Sequence, residues 1–178
     1  IEILADGKTW LLGRIDGIKA LAKVPEKDVE HAYDSLVDAL EDDFPDVRIA
    51  ALKTLPSFSL RRQGILLHCL SDRLQDDEDS VREEAMTCLK KVAPLFPSGC
   101  EEILRRELRD TRKDHRGNAF EALKLASREW PEVGCLHLDE LIREEEDDLR
   151  IRGSMIIRTI ASKGGAESWD LIGWSLQD

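Results

Sequence analysis

An all-α protein of repeated helical hairpins, stacked as a solenoid, is the fold class predicted by this 178-residue sequence. Three observations carry the prediction: a self-similarity with a period of 34 residues, apolar positions recurring at helical spacing, and prolines gathered at repeat boundaries. The clearest column is Arg14, Arg48, Arg82, Arg116 and Arg150. Arginine fills 16 of the 178 positions, so five at one constant spacing do not follow from composition.

The second helix of each hairpin, helix B, follows from the columns beside the arginine. Three residues on comes a small side chain (Gly17, Ala51, Ala85, Ala119, Gly153), seven on an aliphatic one (Leu21, Leu55, Leu89, Leu123, Ile157), and ten on Val24, Phe58, Val92, Ala126 and Ile160. These offsets share one face of a helix, and the small residue admits a close neighbour. Helix A carries the columns Leu36, Leu70, Leu104, Leu138, Ile172 and Leu40, Leu74, Leu108, Ile142, Leu176, an i, i+4 stripe.

Between A and B lie acidic turns ending at Asp46, Ser80, Asp114 and Asp148, residues of the type that caps helix N-termini, so each B helix is expected to start there. The opposite turns fall at Pro25, Pro56, Pro94 with Pro97, Pro131, and Gly164 with Gly165, where a missing N–H costs little. Pro45 is the one proline inside an A-to-B turn. No segment alternates apolar and polar residues between tight turns, so strands are not expected.

An acidic residue near the end of A is followed six residues later by the column arginine: Asp42 and Arg48, Asp76 and Arg82, Asp110 and Arg116, Glu144 and Arg150. The strings from Asp42 to Leu52 and from Asp76 to Ala85 carry a D-x-x-x-x-V-R-x-x-A pattern, and the chain thereby resembles the HEAT repeat family. A tetratricopeptide repeat would want Gly and Tyr in helix A, and this chain has one tyrosine, Tyr33. Without a kinking proline in helix A, the pattern is closest to the short-turn subclass that includes lyase-type HEAT-like repeats. The resemblance implies a right-handed α-solenoid of about ten helices, with the four acid–arginine pairs forming a ladder of ion pairs across successive repeats.

On this register residues 1–178 form a single repeat domain. The first repeat departs from the pattern: Lys8 takes the acidic position, and Glu2 and Asp6 replace the helix A leucines. The last helix, 166–177, with Trp169, Leu171, Ile172 and Trp174, is expected to be an A helix without its B partner. Terminal repeats of a solenoid leave apolar area uncovered, so these ends point to a longer array or to self-association.

Composition narrows the function classes. Lys and Arg number 26 against 37 Asp and Glu, a net charge of −11, which opposes binding to nucleic acid phosphates. The longest runs free of charged residues span nine positions, 63–71 and 92–100, far short of the roughly 18 apolar residues of a membrane span. No signal peptide is visible at the start, and a cytoplasmic location is expected. Cys69, Cys88, Cys100 and Cys135 form no C-x-x-C pair and read as buried thiols.

Motifs for chemistry are sparse. His31, His68, His115 and His137 are scattered without metal-ligand spacing, and His115 stands in the column that elsewhere holds Val47, Val81 and Leu149. The His-Glu pairs of HEAT-like deoxyhypusine hydroxylases are missing, and Glu30-His31 has the reverse order. Neither P-loop, dinucleotide-binding nor G-x-S-x-G signatures occur. No metal, cofactor or catalytic residue is therefore expected. Ser168-Trp169-Asp170 echoes the Trp/Asp grouping of alkylpurine DNA glycosylases, but Gly173 stands where a carboxylate would be needed.

The charges themselves are patterned. The A-to-B turns stack acids into a ridge, which complements the positive ends of the B helices. The solvent side of the B helices carries Lys19, Lys53, Lys90, Lys91, Lys124 and Arg158, which the resemblance places on a concave face. The expected function is a non-catalytic protein-binding scaffold or adaptor that takes a protein or peptide partner on this face. The alternative is an enzyme or enzyme accessory of HEAT-like fold, either a lyase-type protein or a degenerate alkylpurine DNA glycosylase.

Overall fold

The computed structural model describes residues 2–24, 29–58, 63–135, 137, 147–162 and 173. Its elements are α1 (Glu2–Leu21), α2 (Val29–Leu40), α3 (Pro45–Thr54), a 3-10 turn (Leu55–Ser57), α4 (Gln63–Arg73), α5 (Asp79–Val92), α6 (Pro97–Leu108), α7 (Lys113–Glu129) and α8 (Asp147–Ser162). A short helical segment also runs over 131–135, and no strand occurs among the described residues. The chain forms two compact units, residues 1–88 and 89–178, with the boundary inside α5.

In the first unit α3 packs on both α1 and α2, and α2 also meets α4. Pro45 opens α3 at a position whose N–H has no helical acceptor, Asp46 lies in its first turn and Lys53 in its last, each matching the local end of the helix dipole. The inward face buries Val47, Ala50, Ala51 and Thr54, and the helix tightens into the 3-10 turn at Leu55-Pro56, where proline removes a donor. The A-helix columns supply the facing surface: Leu36, Leu40, Leu70 and Leu74 have no exposed area.

In the second unit α6 packs on α7, and α7 on α8. Pro97 starts α6, and its buried stripe of Cys100, Ile103, Leu104, Glu107 and Leu108 has helical spacing. In α7 the stripe is Ala119, Phe120, Ala122, Leu123, Ala126 and Ser127. Trp130 ends α7: its amide bonds Ala126 O at 2.8 Å and its indole Nε1 donates to Pro94 O at 2.9 Å, tying the end of α7 to the loop after α5. Gly134 sits where Ser127, Ile156 and Ile160 converge, with no space for a side chain.

Three local expectations are corrected. Asp46, Ser80 and Asp114 do not precede their helices but lie inside α3, α5 and α7; the N-cap residues of α3 and α7 are Phe44 and Arg112, neither with a side-chain cap bond. The turn is instead held by the earlier aspartate. Asp42, Asp76 and Asp110 each accept the amide two residues on, from Phe44 (3.0 Å), Glu78 (3.1 Å) and Arg112 (2.8 Å). Asp148's side chain lies outside the described residues.

Second, α1 is one continuous helix of 20 residues across the position where the period places an A-to-B turn. Lys8 takes the sequence position of the turn aspartate, and a lysine ammonium cannot accept an amide hydrogen bond. Third, Ile157 is only half-buried, while Ile156 and Ile160 are fully covered. The small column also divides: Ala51, Ala85, Ala119 and Gly153 are buried, whereas Gly17 has nothing within 4 Å of where its Cβ would stand. The predicted terminal helix 166–177 lies outside the described residues except at Gly173.

Candidate functional site

Three of the column arginines repeat one arrangement. Arg48, Arg82 and Arg116 direct Nη1 back to the carbonyl of Asp42 (2.7 Å), Asp76 and Asp110 (2.9 Å), respectively, so the guanidinium closes the turn that precedes its own helix. The other edge of Arg48 reaches the next repeat, with Nε to Asp76 Oδ2 at 3.0 Å and Nη2 to Oδ1 at 2.7 Å. Arg14 pairs in the same sense with Asp42. Arg82 pairs with Asp79 of its own turn. Glu144 and the side chain of Arg150 lie outside the described residues.

This arrangement explains the acidic concavity of about 460 Å³ around Asp42, Asp72, Asp76 and Glu78. Burial pushes the Asp76 carboxyl up, but hydrogen bonds from Arg48 and from the Glu78 amide, with the charges of Arg48 and Arg73, outweigh it and leave the group below the usual carboxylate range. Its lone pairs are spent on holding the turns together.

Glu107, Asp110 and His115 are the one group among the described residues whose ligand atoms lie close enough for a metal, within 4.8 Å of one another. The surrounding charges argue for an ion-paired network instead. Arg112 takes both oxygens of Asp110, Nε at 2.9 Å and Nη2 at 2.7 Å, and its hydrogen bond is the main reason Asp110 stays far below the usual carboxylate range. Arg106 Nε donates to Oε1 of the buried Glu107 at 3.0 Å, and His115 Nδ1 lies 3.4 Å from Oε2. A dication here would have to displace two arginines.

The third arrangement is different in kind. On α7, Lys124 and Arg128 stand i, i+4 on the face next to the buried stripe; on α8, Met155, Arg158, Thr159 and Ser162 follow the i, i+3, i+4, i+7 spacing of one face. The two faces flank an open groove of about 440 Å³ whose lining, among the described residues, is these six, with three cations and no acid. Lys124 Nζ lies 2.5 Å from Glu121 Oε2 at the edge. Among the described residues no carboxylate pairs with Arg128 or Arg158, whereas Arg14, Arg48, Arg82, Arg105, Arg106 and Arg112 all have one.

The residues expected on the partner-binding face are thus distributed unequally. Lys124 and Arg158 meet at this groove. Lys19 is exposed beside Asp16 (3.5 Å), and Lys53 faces Glu84 (3.5 Å), both in the first unit. Lys90 is half-buried and donates to Asn118 Oδ1 at 2.6 Å, while Lys91 is exposed. Arg128 was not among the expected residues, because it falls outside the column offsets; its position four after Lys124 was the available signal.

These features define an all-α helical-repeat protein of the solenoid class. Among solved structures the chain is similar to a designed armadillo repeat protein in complex with the peptide (KR)4, at 19% identity and a TM-score of 0.55, covering 94% of this chain and 82% of that one. An engineered protein matches at 17% identity and a TM-score of 0.50 over 90% of this chain and 76% of that one. Computationally designed armadillo repeat proteins for modular peptide recognition match at 17% identity and a TM-score of 0.49, covering 93% and 81%. At such identity the likeness concerns the fold. No family model and no curated protein matches the chain.

Proposed function

We propose that this chain is a non-catalytic scaffold of HEAT-like repeats that holds an acidic segment of a partner protein or peptide. The observation that carries the reading is the convergence of Lys124, Arg128 and Arg158 at one groove whose described lining holds no acid. In a chain of net charge −11, such a patch is complementary to a short acidic stretch, while the rest of the molecule repels a long polyanion. The (KR)4 peptide belongs to the designed neighbour; the cations of the groove here call for an acidic ligand.

The scaffold reading takes 1–178 as one repeat domain, the 34-residue period running through both compact units. Lys91, exposed in the same unit as the groove, supplies weaker, solvent-screened attraction. No helix among the described residues is long and apolar enough to cross a membrane. A cytoplasmic protein of this kind works by bringing its partner to a surface rather than by transforming it.

The test is fluorescence anisotropy with labelled Asp/Glu-rich peptides and their Lys/Arg-rich counterparts. The acidic set binds and the basic set does not; Lys124→Glu with Arg158→Glu weakens the acidic set by about tenfold or more without altering helicity. Equal affinity for both sets, or binding unchanged by the double substitution, rejects the reading.

A further inference from the structure

We infer that the groove between α7 and α8 is a phosphomonoester site, in which Lys124, Arg128 and Arg158 receive a phosphorylated side chain of the partner's segment. The inference deepens the scaffold reading and rests on it. Among the described residues the lining holds three cations and no carboxylate, in a protein where acids outnumber bases by 37 to 26.

Helix-end electrostatics accounts for one of these cations only. Arg128 lies in the last turn of α7, where a positive charge complements the dipole, but the last turn of α8 contains no basic residue and Arg158 lies before it. Among the described residues, ion pairing accounts for Lys124, which Glu121 holds, and for neither arginine. Two guanidinium groups and an ammonium at one groove present planar forks and a point charge. A carboxylate brings one charge to them; a phosphomonoester brings about two near neutral pH, with three acceptor oxygens suited to the forks.

The rest of the lining fits what carries the phosphate. Thr159 Oγ1 donates to Met155 O at 2.8 Å and Ser162 Oγ to Thr159 O at 2.8 Å. Those protons are committed, so selectivity for an anion falls to the cations. Met155, 43% exposed in spite of its apolar side chain, offers a surface for the stem of the phosphorylated residue. The groove is open to solvent, so a phosphate carried on a peptide side chain can reach the cations while its backbone stays outside.

The experiment incubates the full chain with degenerate peptide libraries carrying phosphoserine or phosphotyrosine at a fixed centre, and with matched libraries carrying Ser, Tyr or Glu there. Inorganic phosphate and a single-stranded oligonucleotide serve as competitors. Retention of a phosphorylated library over its unmodified and Glu counterparts by about tenfold, weak competition by inorganic phosphate, and loss in Arg128→Gln and Arg158→Gln but not in Lys113→Gln support the site. Arg128 and Arg158 are exposed, and circular dichroism of each variant checks the fold. Equal retention of Glu and phosphorylated libraries overturns the phosphate site and leaves the scaffold reading standing. Retention of no acidic library overturns both. Oligonucleotide binding lost in the same variants overturns the phosphate-peptide site in favour of a polyanion groove.

Discussion

Arg48 and Asp76, 28 residues apart, face each other through two hydrogen bonds with side chains only 10% and 3% exposed, while the same guanidinium bonds the carbonyls of Asp42 and Asp43. One side chain therefore joins its own turn to the next repeat. A charge buried this far is tolerable only because every donor edge is used.

Arg48→Ala is expected to lower the unfolding free energy by about 3 kcal/mol, since it strands a buried carboxylate that retains Arg73 at 3.1 Å. Arg48→Lys recovers little, because an ammonium cannot serve both the carboxylate and two carbonyls. Arg82→Ala costs less, as its carboxylate partner Asp79 is 87% exposed. Urea unfolding of the three variants measures the order; equal losses at 48 and 82 contradict it.

Acid stability tests the turn aspartates. The folded-state carboxyls of Asp76 and Asp110 lie below the ordinary range. Their contribution is thus fully present above the unfolded value of about 3.9 and is lost as the pH falls through the lower folded values. The urea midpoint should decline steeply below about pH 4. Asp110→Asn should make that decline shallower at a lower plateau; an unchanged slope argues against the assignment.

The glycines give a paired prediction. A Cβ at Gly134 would stand 2.5 Å from Ser127 Oγ, 2.9 Å from Ile160 Cδ1 and 3.0 Å from Ile156 Cγ2. Gly134→Ala is expected to cost about 2 kcal/mol through overpacking. Gly13→Ala, in the middle of α1 with nothing within 4 Å, should stabilise by roughly 0.5 to 1 kcal/mol. Thermal melting of both variants decides the signs.

The thiols should be silent in the folded protein. All four cysteines are buried, and burial pushes the Cys100 thiol up to about 12 and raises Cys69 and Cys135 as well. Ellman's reagent at mildly alkaline pH should react only after denaturant is added. Prompt reaction of any thiol in native buffer would show the covering helices opening readily.

The local code is legible because helical burial is periodic: the leucine columns at 36, 70, 104 and 40, 74, 108 are buried. Capping was misread because helix starts depend on which amides the turn leaves unbonded, and a candidate oxygen shifted by a few residues cannot be told from the true acceptor by sequence alone. Arg128 was missed for a related reason. It obeys no repeat column and acquires meaning only where α7 lies against α8.

Spacing along one chain thus fixes the helical class and the inward leucine columns, but not the unbroken α1 or the partial exposure of Ile157. The packing of helices settles which charges are consumed by partners and which, among the described residues, converge without a carboxylate. Those outcomes depend on distances between different helices: Lys53 is drawn to Glu84 and Lys90 to Asn118, while Arg128 and Arg158 are left facing one groove.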